Sequence, residues 1–280
     1  MNNNVNRPIT KNFISITGII LVFSGIVFFM ENLLQTGWLL VLLPVAIGIM
    51  FYYTGIKHHR NSLVYLGSFI GTLLSTLIFV FYFIQNLDVY QILGMFFLCL
   101  GIAWLFIFAG FYLIKQKVAF WMFSPFLMSI MLGFTFLQSE KRFLDFLFFI
   151  GLGIGVSLLG YGLYWRLFGL VIPGSLIIGI IPGIYNAWAD PALNNPLIQT
   201  GIMLVWFALG WGLITIFSRV QTLQFVWWPL IPGGILAMVG WGLYIAGNPQ
   251  SAVGFIGNTG SIGLIIFGIY ILLMKRGIHR

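Results

Sequence analysis

The chain has 280 residues, 60% of them hydrophobic and 6% charged, with a mean hydropathy of +1.05 and a formal net charge of +8. A soluble domain carries about 25% charged residues, so this composition excludes a water-soluble fold and leaves the bilayer as the solvent for exposed Leu, Ile and Phe. The thirteen Lys and Arg stand in ones and twos between apolar blocks, with no run of five, which excludes a nucleic-acid partner.

Residues 1–12 read as a cytoplasmic tail carrying Arg7 and Lys11. The apolar stretch 13–30 is too long for a secretory signal core and lacks a small-x-small cleavage site before Glu31, so it reads as a retained first span. Further spans are expected at 36–56, 63–85, 91–114, 118–137, 143–164, 167–187, 197–218, 225–246 and 254–274. Each has about the 20 residues that a helix needs to cross the hydrocarbon. The runs are continuous rather than alternating, which favours helices over a closed barrel. The expected fold is therefore an all-α integral membrane protein of about ten transmembrane helices.

Placing the amino terminus in the cytoplasm puts eleven of the thirteen basic residues on the inner side; only Lys141 and Arg142 fall outside. The five acids, Glu31, Asp88, Glu140, Asp145 and Asp190, gather at or near the opposite face. Lys and Arg in short loops set orientation, so both termini are expected in the cytoplasm, and the clean separation also checks the span count.

Paired in order, the spans read as five related hairpins of like orientation. The first helix of each pair ends at a polar residue (Asn32, Asn86, Glu140, Asn186, Asn248), and the second ends with a glycine shortly before a basic residue (Gly55, Gly110, Gly160, Gly210, Gly268). Pro173-Gly174 matches Pro232-Gly233, and Tyr185 matches Tyr244, each pair 59 positions apart, with Ser124-Pro125 as a weaker copy. Two spans separate successive copies, so the repeat is parallel, unlike the inverted repeats of many transporters. Composition drifts from a Phe-rich part, 13–150, to a Gly-rich part, 151–280, which holds 23 of the 34 glycines. Without a linker between them, 1–280 reads as one transmembrane domain.

Chemistry-bearing residues are sparse. No ionisable group is placed near a mid-plane, which argues against a pump or an ion-coupled carrier. His58-His59 are neighbours that point apart on a helix, and Cys99 stands alone, so no metal, haem or disulfide framework is expected. Glu140, Lys141, Arg142 and Asp145 form the densest charge cluster and neutralise one another. Ser75, Ser129 and Ser175 lack His or Asp partners, so no catalytic residue is assigned. Trp38, Trp121, Trp165, Trp188, Trp227 and Trp228 fall at span ends, where indoles anchor at the interface.

The sharper candidates are helix-breaking prolines. Pro in a span frees a carbonyl that a ligand can satisfy, and Pro-Gly breaks at matching repeat positions point to a site, whereas Pro in a first helical turn is harmless. The candidate solute or lipid site comprises Pro173, Gly174, Asn186, Pro232, Gly233 and Asn258, with Pro182 as a further break.

The stretch FVWWPLIPGGIL, from Phe225 to Leu236, resembles the Trp-Pro-Leu helix of bacterial membrane modules of the LiaI/LiaF envelope-stress type. The glycine-punctuated hairpins with basic inner ends are similar to HdeD-like membrane proteins. The resemblance implies a bacterial cytoplasmic (inner) membrane protein linked to envelope stress, and it carries no catalytic residues. The expected role is a non-enzymatic scaffold, complex subunit or envelope-stress component without cofactors. It would act through helix or lipid packing, with the lipid bilayer and other membrane proteins as partners. The alternative is a transporter or channel for an uncharged or lipid-like solute.

Overall fold

The computed structural model describes residues 7–84, 88–115, 119–138, 143–189, 195–222 and 226–278, and among these residues all regular structure is helical. Ten helices follow one another: α1 Arg7–Leu34, α2 Trp38–Lys57, α3 Asn61–Phe83, α4 Val89–Lys115, α5 Phe120–Leu137, α6 Phe143–Tyr164, α7 Phe168–Trp188, α8 Pro196–Thr222, α9 Leu230–Gly247 and α10 Ala252–Ile278. Nine of them are long and apolar enough to cross a membrane, and α1 adds the shorter apolar stretch Ile20–Leu34. The protein is an all-α, multi-pass membrane protein.

Most helices follow the expected spans to within four residues, and two starts shift by more. Helix α1 starts at Arg7 rather than 13, so the expected tail 1–12 is partly helical. Pro8 sits in the first turn, where its missing N–H costs nothing, and hydropathy does not mark the part of a helix that runs beyond the hydrocarbon. Helix α9 starts at Leu230 rather than 225, because Pro229 disfavours helical backbone in Trp228 before it.

The chain divides into two compact units, Met1–Leu137 with α1–α5 and Gln138–Arg280 with α6–α10. The compositional boundary at 150/151 falls within α6.

In the first unit, the tightest contact joins α2 to α3. A Cβ on Gly67 would lie 2.5 Å from the backbone N of Tyr52 and 2.6 Å from the carbonyl O of Gly48, so the two backbones touch. Helices in lipid gain no hydrophobic energy from pairing, and such close approach recovers van der Waals contact instead. A π turn, Ile70–Leu74, interrupts α3 where it passes Gly48. Helix α4 packs on α5 through Gly94 and Gly133, and Ile107, Phe111 and Met122 form a buried cluster. In the second unit, α6–α7, α7–α8 and α8–α9 are closely packed in series, while α10 leans chiefly on α8.

The two units share a register. Gly55 and Gly162 stand 107 positions apart (162 − 55), and the same shift maps 38–137 onto 145–244 without a gap. Helices α2, α3, α4 and α5 then overlie α6, α7, α8 and α9. The turn after α2 holds His59 at φ 52, and the turn after α6 holds Arg166 at φ 56, each in the left-handed region. Arg60 donates its N–H to the Gly55 carbonyl at 2.9 Å, and Leu167 donates to Gly162 at 2.9 Å. A Cβ on Gly174 would meet Leu159 N and Gly155 O, the counterparts of what Gly67 meets. Gly133 faces Leu98 and the Gly94 carbonyl, and Gly240 faces Val205 and the Gly201 carbonyl. The indoles of Trp104 and Trp121 cross edge-to-face at 6.0 Å and 78°, and those of Trp211 and Trp228 at 5.8 Å and 78°. This register equates Gly55 with Gly162 rather than Gly160, and it runs over four helices at a time, about two hairpin periods.

Candidate functional site

The second unit contains a groove of about 360 Å³ between α8, α9 and α10. That volume lies within the roughly 300–1,000 Å³ of small-molecule sites. Helix α8 supplies Val205, Ala208, Gly212, Thr215 and Ile216; α9 supplies Leu230, Gly233, Gly234, Ala237 and Trp241; α10 supplies Thr259, Gly260, Gly263, Phe267 and Tyr270. From Val205 to Ile216 the groove runs about 16 Å along α8 at ~1.5 Å per residue.

Three polar points break its apolar lining: the Trp241–Thr259 pair, Thr215 and Tyr270. At one end the Trp241 indole donates to Thr259 Oγ1 at 3.1 Å, and Thr259 in turn donates to the Phe255 carbonyl at 2.8 Å, so this pair is satisfied. Toward the other end Thr215 is 4% exposed, and its hydroxyl has no partner. Span threonines usually return their hydroxyl to the carbonyl four residues back. Thr54, Thr72 and Thr135 do so at 2.7, 2.7 and 3.0 Å. Thr215 departs from that pattern. A buried hydroxyl without a partner costs about 1–3 kcal/mol, and the Thr215 hydroxyl is itself sealed from the groove. Arg219 follows one helical turn later, so this end of the groove is the one near the membrane boundary.

The predicted site residues are scattered rather than gathered. Gly233 lines the groove. Pro232 is half-buried in the first turn of α9, and Asn258 is exposed on α10 beside Thr259. Pro173 and Gly174 lie in α7, and Gly174 is buried against α6. Asn186 is exposed near the end of α7, where its Nδ2 donates to the Pro182 carbonyl at 2.8 Å. The paired Pro-Gly motifs therefore serve different surfaces: one closes a helix contact and the other borders the groove.

Two acids expected at span ends are buried. Glu31 is 6% exposed and caps the start of α2: its carboxylate accepts from the N–H groups of Gly37 and Leu39, the latter at 3.1 Å, and from Thr36 Oγ1 at 3.3 Å. Asp145, in the first turn of α6, accepts from the Tyr185 hydroxyl at 3.0 Å. Its companions in the expected charge cluster, Glu140, Lys141 and Arg142, lie outside the described residues. Cys99 Sγ accepts a hydrogen bond from Thr76 at 3.0 Å. Among the described residues, no group of three His, Cys, Asp or Glu could hold a metal ion.

A smaller groove of about 280 Å³ lies in the first unit between α2, α3 and α4, floored by Gly48, Gly67 and Gly71 beside the π turn. Ser68 lines it with an unpartnered hydroxyl. Sequence reasoning missed Thr215, Trp241, Thr259 and Ser68. Each is an ordinary span residue until a second helix is laid against it. No protein-family profile, curated protein or solved structure matches this chain.

Proposed function

We propose that this chain is a non-enzymatic membrane protein that holds a lipid-like, uncharged molecule in the α8–α9–α10 groove, as a scaffold or subunit of a bacterial cytoplasmic-membrane assembly. The observation that carries this reading is an apolar groove of about 360 Å³ walled by three helices of the second unit. Such a wall offers an apolar body room and offers an ion no charged partner. Holding is favoured over transport because the walls come from three successive helices, and Pro173 and Asn186 of the earlier break do not line the groove.

The Lys and Arg bias supports cytoplasmic termini. It places Arg219, and with it the Thr215 end of the groove, on the inner side. Leu230, from the Trp-Pro-Leu stretch that resembles envelope-stress modules, lines that same end, which is the support for a role in responding to the state of the membrane. Native mass spectrometry of the protein purified in mild detergent tests the reading. The expected result is a population carrying an added mass in the lipid range that survives gentle activation. Bare protein under all mild conditions would sink it.

A further inference from the structure

We infer that two copies of this chain pair through the outward face of α10, as a parallel helix dimer registered on Asn258. The inference goes beyond the groove and does not depend on what the groove holds.

Its origin is one amide. Asn258 lies six residues (258 − 252) into the span Ala252–Leu272, and its side chain is exposed. That is about 9 Å from the start of the span at ~1.5 Å per residue. The solvent at such a depth is acyl chain, which neither donates nor accepts, so an amide facing it is left unmet. Two other exposed polar side chains in the spans are met within their own helix. Ser261 returns its hydroxyl to the Gly257 carbonyl at 2.7 Å, and Asn186 gives its Nδ2 to the Pro182 carbonyl at 2.8 Å. Among the described residues, Asn258 has no such partner.

The face around Asn258 carries the period of a helix pair. Asn258, Ile265 and Leu272 recur every seven residues, and Gly254, Ser261 and Gly268 recur between them at alternating steps of four and three. Two positions in seven, 3.5 residues apart on average, form the seam of a left-handed pair. One set is small throughout, which lets two backbones approach. A Cβ on Gly254 or Gly268 would meet nothing within 4 Å, so packing within the chain does not account for them. Ile265 and Leu272 are 62% and 67% exposed. Lipid alone would explain these two apolar residues, but not an unmet amide and a row of small residues on the same line.

The seam leaves the rest of α10 undisturbed. At about 100° per residue it lies roughly half a turn around the helix from Gly260, Gly263 and Phe267 of the groove wall. Ala252, Thr259 and Tyr270, on the side that leans on α8, are buried.

The amide selects a second copy as the occupant. Two copies inserted in the same orientation present α10 parallel and Asn258 at equal depth. A two-fold axis along the membrane normal then makes the face self-complementary. A carboxamide carries both donor and acceptor, so each Asn258 donates Nδ2–H to the Oδ1 of the other. Asn at one core position of a parallel seam fixes register and two-strandedness in this way, and in the bilayer such polar pairs hold helices together.

The test uses the full chain in liposomes, in a Cys99→Ser background. Gly254→Cys, Ser261→Cys and Ile265→Cys place single cysteines on the seam. Val253→Cys and Ile271→Cys place them at exposed positions off it. On oxidation the seam cysteines should form disulfide-linked dimers several-fold faster than the two controls. Energy transfer between donor- and acceptor-labelled chains, followed as lipid is added, measures the affinity. Asn258→Leu should weaken pairing roughly 3–30-fold, the value of interhelical hydrogen bonding in a bilayer. Asn258→Gln keeps donor and acceptor and should retain most of the affinity.

Equal cross-linking on and off the seam, or a chain that is monomeric at every protein-to-lipid ratio, would overturn the dimer. Equal losses from Asn258→Leu and Asn258→Gln would overturn the amide contact. Cross-linking in native membranes to a different protein alone, with no dimer, would overturn the second copy as occupant. Retained helicity and elution volume show that the variants fold. Ile265→Cys replaces a large residue, so it still reports if a cysteine at Gly254 or Ser261 blocks close approach.

Discussion

The Glu31 carboxylate is the last acid before the chain turns from α1 into α2, and it reaches forward over that turn. The first N–H groups of a helix have no intrahelical acceptor. Glu31 accepts from two donors there, Gly37 and Leu39, while Gly37 adopts φ 77 to make the turn. Glu31→Ala strands those donors at a site 6% exposed, so a loss of about 1–3 kcal/mol is expected, read as a lower unfolding temperature in detergent. Glu31→Gln keeps an acceptor and should lose less; equal losses would mean that the side chain acts only by filling space. The sequence marks Glu31 as a boundary residue, but its role as a cap depends on a turn geometry that hydropathy does not encode. The same holds for Thr215, which resembles any back-bonded span threonine until α9 and α10 are laid beside it.

At the scale of the helix, the spans were legible because every one must hold about 20 apolar residues regardless of its neighbours. Their pairing was less so. The glycines were visible as small-residue faces, but several residues on one helix satisfy that pattern. The structure selects Gly48 and Gly67 for the α2–α3 contact and Gly155 and Gly174 for α6–α7. Gly67→Ala and Gly174→Ala each place a methyl within 2.6 Å of a backbone nitrogen on the facing helix, and overpacking of this kind costs about 1–3 kcal/mol. Gly254→Ala in α10 meets nothing within 4 Å and should be neutral or stabilising. Thermal unfolding of the three variants in one detergent checks the contrast, and equal behaviour would refute the assigned contacts.

For the whole molecule, the ten spans expected from the sequence would place alternate loops on opposite sides of the membrane. In a Cys99→Ser background, His59→Cys and Asn248→Cys should react with an impermeant maleimide from opposite sides, His59→Cys from the cytoplasm. Labelling of both from one side would mean that the number of crossings between them has been misread. Composition, span lengths and the Lys and Arg bias were enough to reach an all-α, multi-pass protein and an expected sidedness, because each follows from transferring single residues between water and lipid. The 59-residue match of Pro173-Gly174 with Pro232-Gly233 was also visible, since local motifs survive in the string. What only tertiary structure decided is which stretches share a packing register, 107 positions apart, and which helices wall the groove in each unit. Both depend on which side chains meet across helices, and in a chain that is apolar nearly everywhere, hydrophobicity does not distinguish a residue facing lipid from one facing a neighbour.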